Sequence, residues 1–128
     1  MVISVEINNC IVRKTLVDQG SLDDILYWKM FKQLGIPETE LTPYDEPLVF
    51  FSGERVDTRG TIDLYTYFGD EQVGRRIKGQ YVVVHANTSY NMLLGRPSLN
   101  KLRAIVSTPH LAMKFPSETC MVITLHAD

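Results

Sequence analysis

Short apolar segments with a two-residue period recur along this chain and constrain its fold more than any other feature. Near the start, Ile3, Val5 and Ile7 alternate with polar side chains, which predicts a strand with one buried face. Asn8 and Asn9 then predict a hairpin turn that leads into a second strand. Because such segments continue to the end of the chain, the sequence predicts a mainly β protein.

One segment departs from this period and predicts a helix. Between Asp23 and Leu34 the apolar residues fall at spacings of three and four, which is typical of an amphipathic helix. Asp23 and Asp24 stand in its expected first turn, where the helix dipole favours negative charge. Gly35 and Pro37 mark its expected end.

The other expected elements are strands, apart from one short helix close to Pro97. Proline is favoured in the first turn of a helix, and this helix is expected over 98–102. Glycine and proline turns separate the strands from one another. The strands after the first are expected over 10–17, 48–51, 60–68, 80–84, 92–97, 104–106, 111–115 and 121–125.

Length and charge narrow the function classes. The 128 residues predict a single domain over 1–128. Thirteen basic and fifteen acidic side chains give a formal charge of −2, which argues against a nucleic-acid-binding protein. All apolar runs are far shorter than the roughly 20 residues that span a bilayer, so no membrane association is expected. Without a secretory leader, and with Cys10 and Cys120 read as reduced thiols, we expect an intracellular, cytoplasmic protein.

Few motifs in the sequence are typical of catalytic, cofactor-binding or metal-binding sites. Glycine-rich phosphate-binding motifs are missing, and His85, His110 and His126 lack the spacing of metal ligands, so we expect neither a cofactor nor a metal site. What remains is the segment 18–21, Asp-Gln-Gly-Ser, directly after an apolar strand. By itself it is compatible with a simple turn in which Asp18 caps backbone N–H groups.

A second segment gives this loop another interpretation. Leu93-Leu94-Gly95-Arg96, followed by Pro-Ser-Leu, resembles the apolar-apolar-Gly-Arg segment before the short C-terminal helix of retroviral-type aspartic proteases. The segment 15–21 stands at the position of their catalytic loop, and a glycine-containing hairpin lies between the two, where that family carries its flap. The resemblance implies the closed β-barrel of the acid protease fold, with one helix after the catalytic loop and a short C-terminal helix.

Two branches of this family are the most similar. The helix expected after the loop is similar to the retropepsin-like domain of the DNA-damage-inducible proteins. The amino-acid sequences of segments 17–21 and 90–97 resemble those of gypsy-type retrotransposon polyproteins of plants. The resemblance therefore implies a protease that is cut from a retroelement polyprotein, or a host-adopted relative of one.

The resemblance also implies roles for individual residues. A retropepsin chain supplies one aspartate, so Asp18 would act twice in a homodimer, as a water-activating pair that cleaves an extended peptide or polyprotein. Gly20 and Ser21 would contact the substrate main chain, although Ser21 also fits a plain turn. The flap tip would be Ser52, Gly53 and Glu54, where the glutamate also fits a solubilising charge.

The residues implied to support the site are Leu93, Leu94 and Gly95, which would pack beneath the loop. Arg96 would form an ion pair that ties the helix to the loop or to the second subunit, or it would be solvated. Gln19 departs from the family, which has Thr or Ser there to hydrogen-bond across the dimer axis.

Two alternatives to an active protease stay open at this stage. Because of Gln19, the domain could be a catalytically silent dimerisation or peptide-binding module of the same fold. It could also be an unrelated β-barrel with a chance Asp-x-Gly sequence.

Overall fold

The structure of this protein is a computed structural model. It describes residues 1–44 and 56–128. The expected strand over 48–51 and the expected flap tip at Ser52, Gly53 and Glu54 lie outside these ranges. The strands are β1 (Val2–Ile7), β2 (Cys10–Val17), β3 (Asp24–Tyr27), β4 (Asp57–Gly69), β5 (Gly74–His85), β6 (Met92–Leu94), β7 (Ile105–Ser107), β8 (Ala112–Pro116) and β9 (Val122–His126). The helices are α1 (Trp28–Gln33), a 3-10 turn (Glu38–Glu40) and α2 (Arg96–Leu102).

Six strands close into a barrel in the order β1-β2-β6-β3-β5-β4. Strand β6 pairs in parallel with β2 and antiparallel with β3, and β3 in turn pairs in parallel with β5. Strands β4 and β5 form the longest ladder, which ends at a turn between Gly69 and Gly74. The barrel closes where Glu6 of β1 pairs with Tyr67 of β4. The prediction of a mainly β protein with a closed barrel and few helices is confirmed.

The remaining strands form a separate antiparallel sheet in the order β7-β8-β9. Its inner face places Met113, Phe115 and Ile123 in the same apolar core as the barrel interior. Phe115 meets Phe68 of β4 edge to face, with 6.3 Å between the ring centroids. The sheet is therefore joined to the barrel by a shared core.

The helix expected from Asp23 to Leu34 is wrong in its first part. Asp24–Tyr27 is a strand, and the helix begins at Trp28 and ends at Gln33. All four residues of β3 are buried, and both of its faces are packed: Leu26 belongs to the main apolar core, and Ile25 and Tyr27 belong to a second apolar cluster. A short, fully buried strand has no alternation of polar and apolar residues, so its pattern does not differ from that of a buried helix.

The short helix is found where the sequence predicts it, with a different start. It begins at Arg96, two residues before the expected bound, and ends at Leu102. Pro97 lies in its first turn, as expected. Across residues 1–44 and 56–128, no helix has the length and apolar character to cross a membrane.

Candidate active site

The Asp18 loop begins where two parallel strands end side by side. Val17, the last residue of β2, pairs with Leu94, the last residue of β6. The backbone N–H of Asp18 continues this ladder and donates to the carbonyl oxygen of Leu94 at 2.9 Å. The fold thus brings the two sequence motifs together, although they lie 76 positions apart in the chain.

A hydrogen bond within the loop orients the carboxylate of Asp18. Its Oδ1 accepts from the backbone N–H of Gly20 at 2.9 Å, and the N–H of Ser21 donates to the carbonyl oxygen of Asp18 at 3.3 Å. A Cβ on Gly20 would stand 3.3 Å from the same Oδ1, so a side chain there would crowd the carboxylate. An ionised carboxylate has about four lone-pair sites, so the turn leaves Asp18 able to accept further hydrogen bonds.

Exposure differs along the loop. Asp18 and Ser21 are half-buried, whereas Gln19 and Gly20 are exposed on the single chain. The hydroxyl of Ser21 donates to the carbonyl oxygen of Asp23 at 2.9 Å and closes the next turn. The loop therefore presents its tip to solvent, with the carboxylate of Asp18 set just below the surface.

Helix α2 holds the loop through its first residue. The backbone N–H of Arg96 donates to the carbonyl oxygen of Ser21 at 2.9 Å, and its Nε donates to the carbonyl oxygen of Gln19 at 3.0 Å. The sequence predicts that Arg96 ties the helix to the loop, and the structure has such a link. Its acceptor is a neutral carbonyl group, however, where an ion pair was expected.

The glycine before this helix has no room for a side chain. A Cβ on Gly95 would lie 2.4 Å from the carbonyl oxygen of Asp23 and 2.8 Å from that of Ser21. Leu93 and Leu94 are buried just before it in β6. Leu94 and Gly95 therefore contact the loop through their backbones, and the supporting role of Leu93 stays a prediction.

Sequence reasoning missed Asp24, which it placed on a helix. This side chain is 1% exposed, and its two oxygens accept from the N–H of Gly95 at 2.8 Å and from the hydroxyl of Ser98 at 2.7 Å. Burial raises the pKa of Asp24, because desolvation outweighs the hydrogen bonds from Ser98 and Gly95 and the charge of Lys101. The available signal was an aspartate at the head of an otherwise apolar run.

A second apolar cluster lies on the side of the loop that faces away from the main core. Leu16 and Asp18 point to the same side of β2, because side chains two positions apart share a face. Leu93, which pairs with Leu16, belongs to this cluster. Its other members are Ile25, Tyr27, Val82 and Val84, with Tyr44, Val56, Ala86 and Tyr90 half-buried against them. Only these half-buried members leave part of the cluster accessible to solvent.

Metal chemistry has no visible ligand set in this part of the chain. Within residues 1–44 and 56–128, histidine, cysteine, aspartate and glutamate side chains do not gather in groups of three or more that could hold an ion. Cys10 is half-buried and Cys120 is exposed, and both are free thiols.

Solved structures with a similar fold include a retroviral protease-like domain, a retropepsin-like aspartic protease and a viral protease. The retroviral protease-like domain of Ddi1 from Leishmania major matches with a TM-score of 0.68 and 14% identity, over 98% of this chain and 92% of that one. A retropepsin-like aspartic protease from Rickettsia conorii matches with a TM-score of 0.59 and 18% identity, over 84% and 76%. The EIAV protease, solved with the inhibitor HBY-793, matches with a TM-score of 0.59 and 21% identity, over 84% and 91%.

Sequence comparison alone shows no relative. No protein-family model matches the chain, and no curated protein matches it in sequence. The chain has the retropepsin-like fold, on the evidence of these structures. The similarity to gypsy-type polyproteins of plants stays a prediction.

Proposed function

We propose that this domain is an aspartic endopeptidase of the retroviral type, in which two copies of the chain each contribute Asp18 to one catalytic pair. The observation that carries the proposal is the position of Asp18 in a retropepsin-like fold, at the ends of β2 and β6. Its carboxylate is oriented by the N–H of Gly20 and half-buried. Because each chain supplies one such loop, the reaction needs a second copy.

The chemistry follows from two carboxyl groups held close together. Like charges at short distance disfavour double ionisation, so the pair holds one proton over a range of pH. The ionised Asp18 takes a proton from a bound water, while the protonated Asp18 polarises the scissile carbonyl. Water attacks the carbonyl carbon, and a proton then passes to the leaving amine as the C–N bond breaks. This route requires neither a cofactor nor a covalent intermediate.

Two surface features support a symmetric homodimer. Gln19 and Gly20 are exposed at the loop tip, where a two-fold partner would meet them. The β7-β8-β9 sheet leaves Ile105 and Val122 74% and 70% exposed. An isologous interface that covers the same patch on both chains would bury these residues in pairs.

The substrate in this proposal is an extended peptide, such as a segment of a polyprotein. Gly20 and Ser21 would face its main chain, and the second apolar cluster would receive its apolar side chains. The segment with Ser52, Gly53 and Glu54 is proposed to close over the peptide. An extended peptide gains main-chain hydrogen bonds from neighbouring strands, and alternate side chains enter pockets.

A second candidate function rests on Gln19. Its side chain stands exposed at the loop tip, where a short hydroxyl would be easier to pack at a two-fold axis. A domain of this fold that dimerises or binds peptides without cleaving them would tolerate such a residue. Under this alternative, Asp18 would be a turn residue only.

The test is peptide cleavage between about pH 4 and 7, at protein concentrations where the chain is shown to be dimeric. Replacing Asp18 by Asn keeps an oxygen that accepts from Gly20 but removes the ionisable group. We expect Asp18→Asn to lower turnover about 10²–10⁴-fold. Asp23→Asn is the matched control, because it removes a half-buried carboxylate five residues away.

Each outcome decides between the two candidates. Unchanged turnover in Asp18→Asn would exclude the catalytic pair. A folded dimer that binds peptides and cleaves none would favour the binding module, and Gln19→Thr would then test whether a short hydroxyl restores cleavage.

A further inference from the structure

We infer that Asp24 is a positioning residue for this site: its carboxylate fixes the start of α2, and α2 holds the Asp18 loop in place. The inference rests on the proposed function of the loop. It concerns a residue that neither touches the substrate groove nor belongs to the loop motif.

The first step of the argument is the contact between Asp24 and the start of the helix. Helix α2 begins after Gly95, which has no side chain with which to cap the free N–H groups of the first turn. Asp24, on strand β3, supplies the acceptor oxygens instead. One accepts from the N–H of Gly95 at 2.8 Å, and the other accepts from the hydroxyl of Ser98 at 2.7 Å. A negative charge at a helix start is also favoured by the helix dipole.

The second step leads from the helix start to the loop. Arg96 follows Gly95 directly and donates twice into the loop, to the carbonyl groups of Gln19 and Ser21. These carbonyls lie on either side of Gly20, whose N–H orients the carboxylate of Asp18. A displacement of the helix start would therefore displace both anchors of the loop.

The third step is that the start of the helix and the loop are closely packed against each other. The Cα of Gly95 faces the carbonyl oxygens of Asp23 and Ser21 so closely that a Cβ would overlap them. Close-packed groups transmit a shift to their neighbours because no void absorbs it. The position of Gly95 is thus coupled to the position of the loop.

The fourth step is the choice of a carboxylate. A buried carboxylate is costly unless its oxygens are satisfied, and no direct ion pair with another described residue offsets this cost. The ammonium of Lys101 donates instead to the carbonyl of Lys78 at 2.7 Å. What the carboxylate of Asp24 provides is two acceptor oxygens at a fixed spacing, which an amide side chain does not provide.

The experiment compares Asp24→Asn with the wild type in peptide cleavage, at temperatures where both are fully folded. Asn has a similar volume, but its NH₂ group cannot accept a hydrogen bond. We expect kcat to fall about 10–100-fold, because small misplacements of reacting groups have effects of this size. KM should change less than about twofold, since the contacts with the peptide remain. Asp23→Asn, which alters the neighbouring half-buried carboxylate, should leave both constants unchanged.

A second variant tests whether Asp24 acts through the helix. Ser98→Ala removes one donor to the carboxylate and should lower kcat in the same direction, by a smaller factor. In the double variant the two effects on kcat should not add, because both changes break one network. Ser98→Ala also keeps the test open if Asp24→Asn does not fold.

A readout independent of cleavage is hydrogen exchange of backbone amides in the folded protein. Exchange at Arg96 and Gly20 should be faster in Asp24→Asn, while the β4–β5 ladder exchanges as in the wild type. Unchanged kcat, additive effects, or a kcat loss that only follows the unfolded fraction would overturn the inference. If the wild type cleaves no peptide, the proposed function fails, and unchanged exchange at Arg96 would then overturn the role of Asp24 separately.

Discussion

The closed barrel and the β7-β8-β9 sheet are both built of strands, but they differ in how their apolar side chains are covered. The barrel closes on itself and fills its interior, including Ile3, Leu26 and Leu94 at 0% exposure. The smaller sheet buries one face on that core and leaves Ile105 and Val122 exposed on the other. They lie on the two outer strands of this sheet, on the same face as Lys114 of the central strand. The comparison indicates that the barrel strands close on one another, whereas, among the described residues, the outer face of the small sheet keeps apolar side chains exposed.

The largest effect is expected where the two regions join. Phe115 is 2% exposed and packs edge to face on Phe68 of the barrel. Phe115→Ala should lower the free energy of unfolding by about 3–5 kcal/mol, because it leaves a cavity in the shared core. Chemical denaturation measures this, and Lys114→Ala, on the exposed face of the same strand, should change it by less than about 0.5 kcal/mol. A loss below about 1 kcal/mol for Phe115→Ala would mean that the sheet is not joined to the barrel core.

The next effect concerns the exposed face of the small sheet. Val122→Glu should weaken self-association by about 2–3 kcal/mol, or about 30–150-fold, because dimer formation would then bury an unpaired charge. Sedimentation at several concentrations gives the dissociation constant. Ile11→Glu is matched in exposure, 61% against 70%, but lies on the barrel, and it should leave association unchanged. Equal weakening by both variants would contradict the assignment of the interface to this sheet.

A third effect is the pH dependence of stability that Asp24 contributes. Because its pKa is raised above 3.8 by burial, the folded protein binds a proton more tightly than the unfolded chain does. Stability should therefore fall as pH rises from about 3.8 through the folded pKa, by at most about 1.4 kcal/mol per pH unit, and then level off. Asp24→Asn should lack this fall when the unfolding free energies of both proteins are compared across pH. If the wild type gained stability relative to the variant with rising pH, the hydrogen bonds from Gly95 and Ser98 would outweigh desolvation.

The smallest effect is expected at the loop tip. Gln19→Thr would place a short hydroxyl where two loops meet in the proposed dimer, and one net hydrogen bond contributes about 0.5–1 kcal/mol. The dissociation constant should fall by up to about fivefold, while the monomer unfolds as before. Gln19→Val has the shape of threonine without its hydroxyl and serves as the control. A similar gain from both variants would assign the effect to side-chain size and not to a hydrogen bond.

The barrel was predictable because most of its strands have one polar and one apolar face. Strand β1 shows the alternation directly, and the glycine-arginine segment after β6 marks the start of α2. Strand β3 was not predictable in this way, since apolar clusters cover both of its faces and every residue in it is buried. The alternation of polar and apolar residues arises where one face of a strand is exposed to solvent. It therefore does not identify a strand that has no exposed face.

The same limit explains why Asp24 was misplaced. Its carboxylate oxygens accept hydrogen bonds from Gly95 and Ser98, which lie 71 and 74 positions further along the chain. Two adjacent aspartates before an apolar segment are typical of a helix start, and local reasoning has no means to separate them. In the structure Asp23 is half-buried, while Asp24 enters the barrel wall.

The parallel pairing of β2 with β6 has a consequence for how the protein is made. Residue 18 leaves the ribosome long before residue 94, yet the amide of Asp18 finds its acceptor only on Leu94. Parallel strands need a long connection, and the ordering of that connection must precede the contact. A nascent chain therefore carries Asp18 without its anchor on β6 until Leu94 has been made. The timing of translation itself thus delays assembly of the loop until the second half of the domain is present.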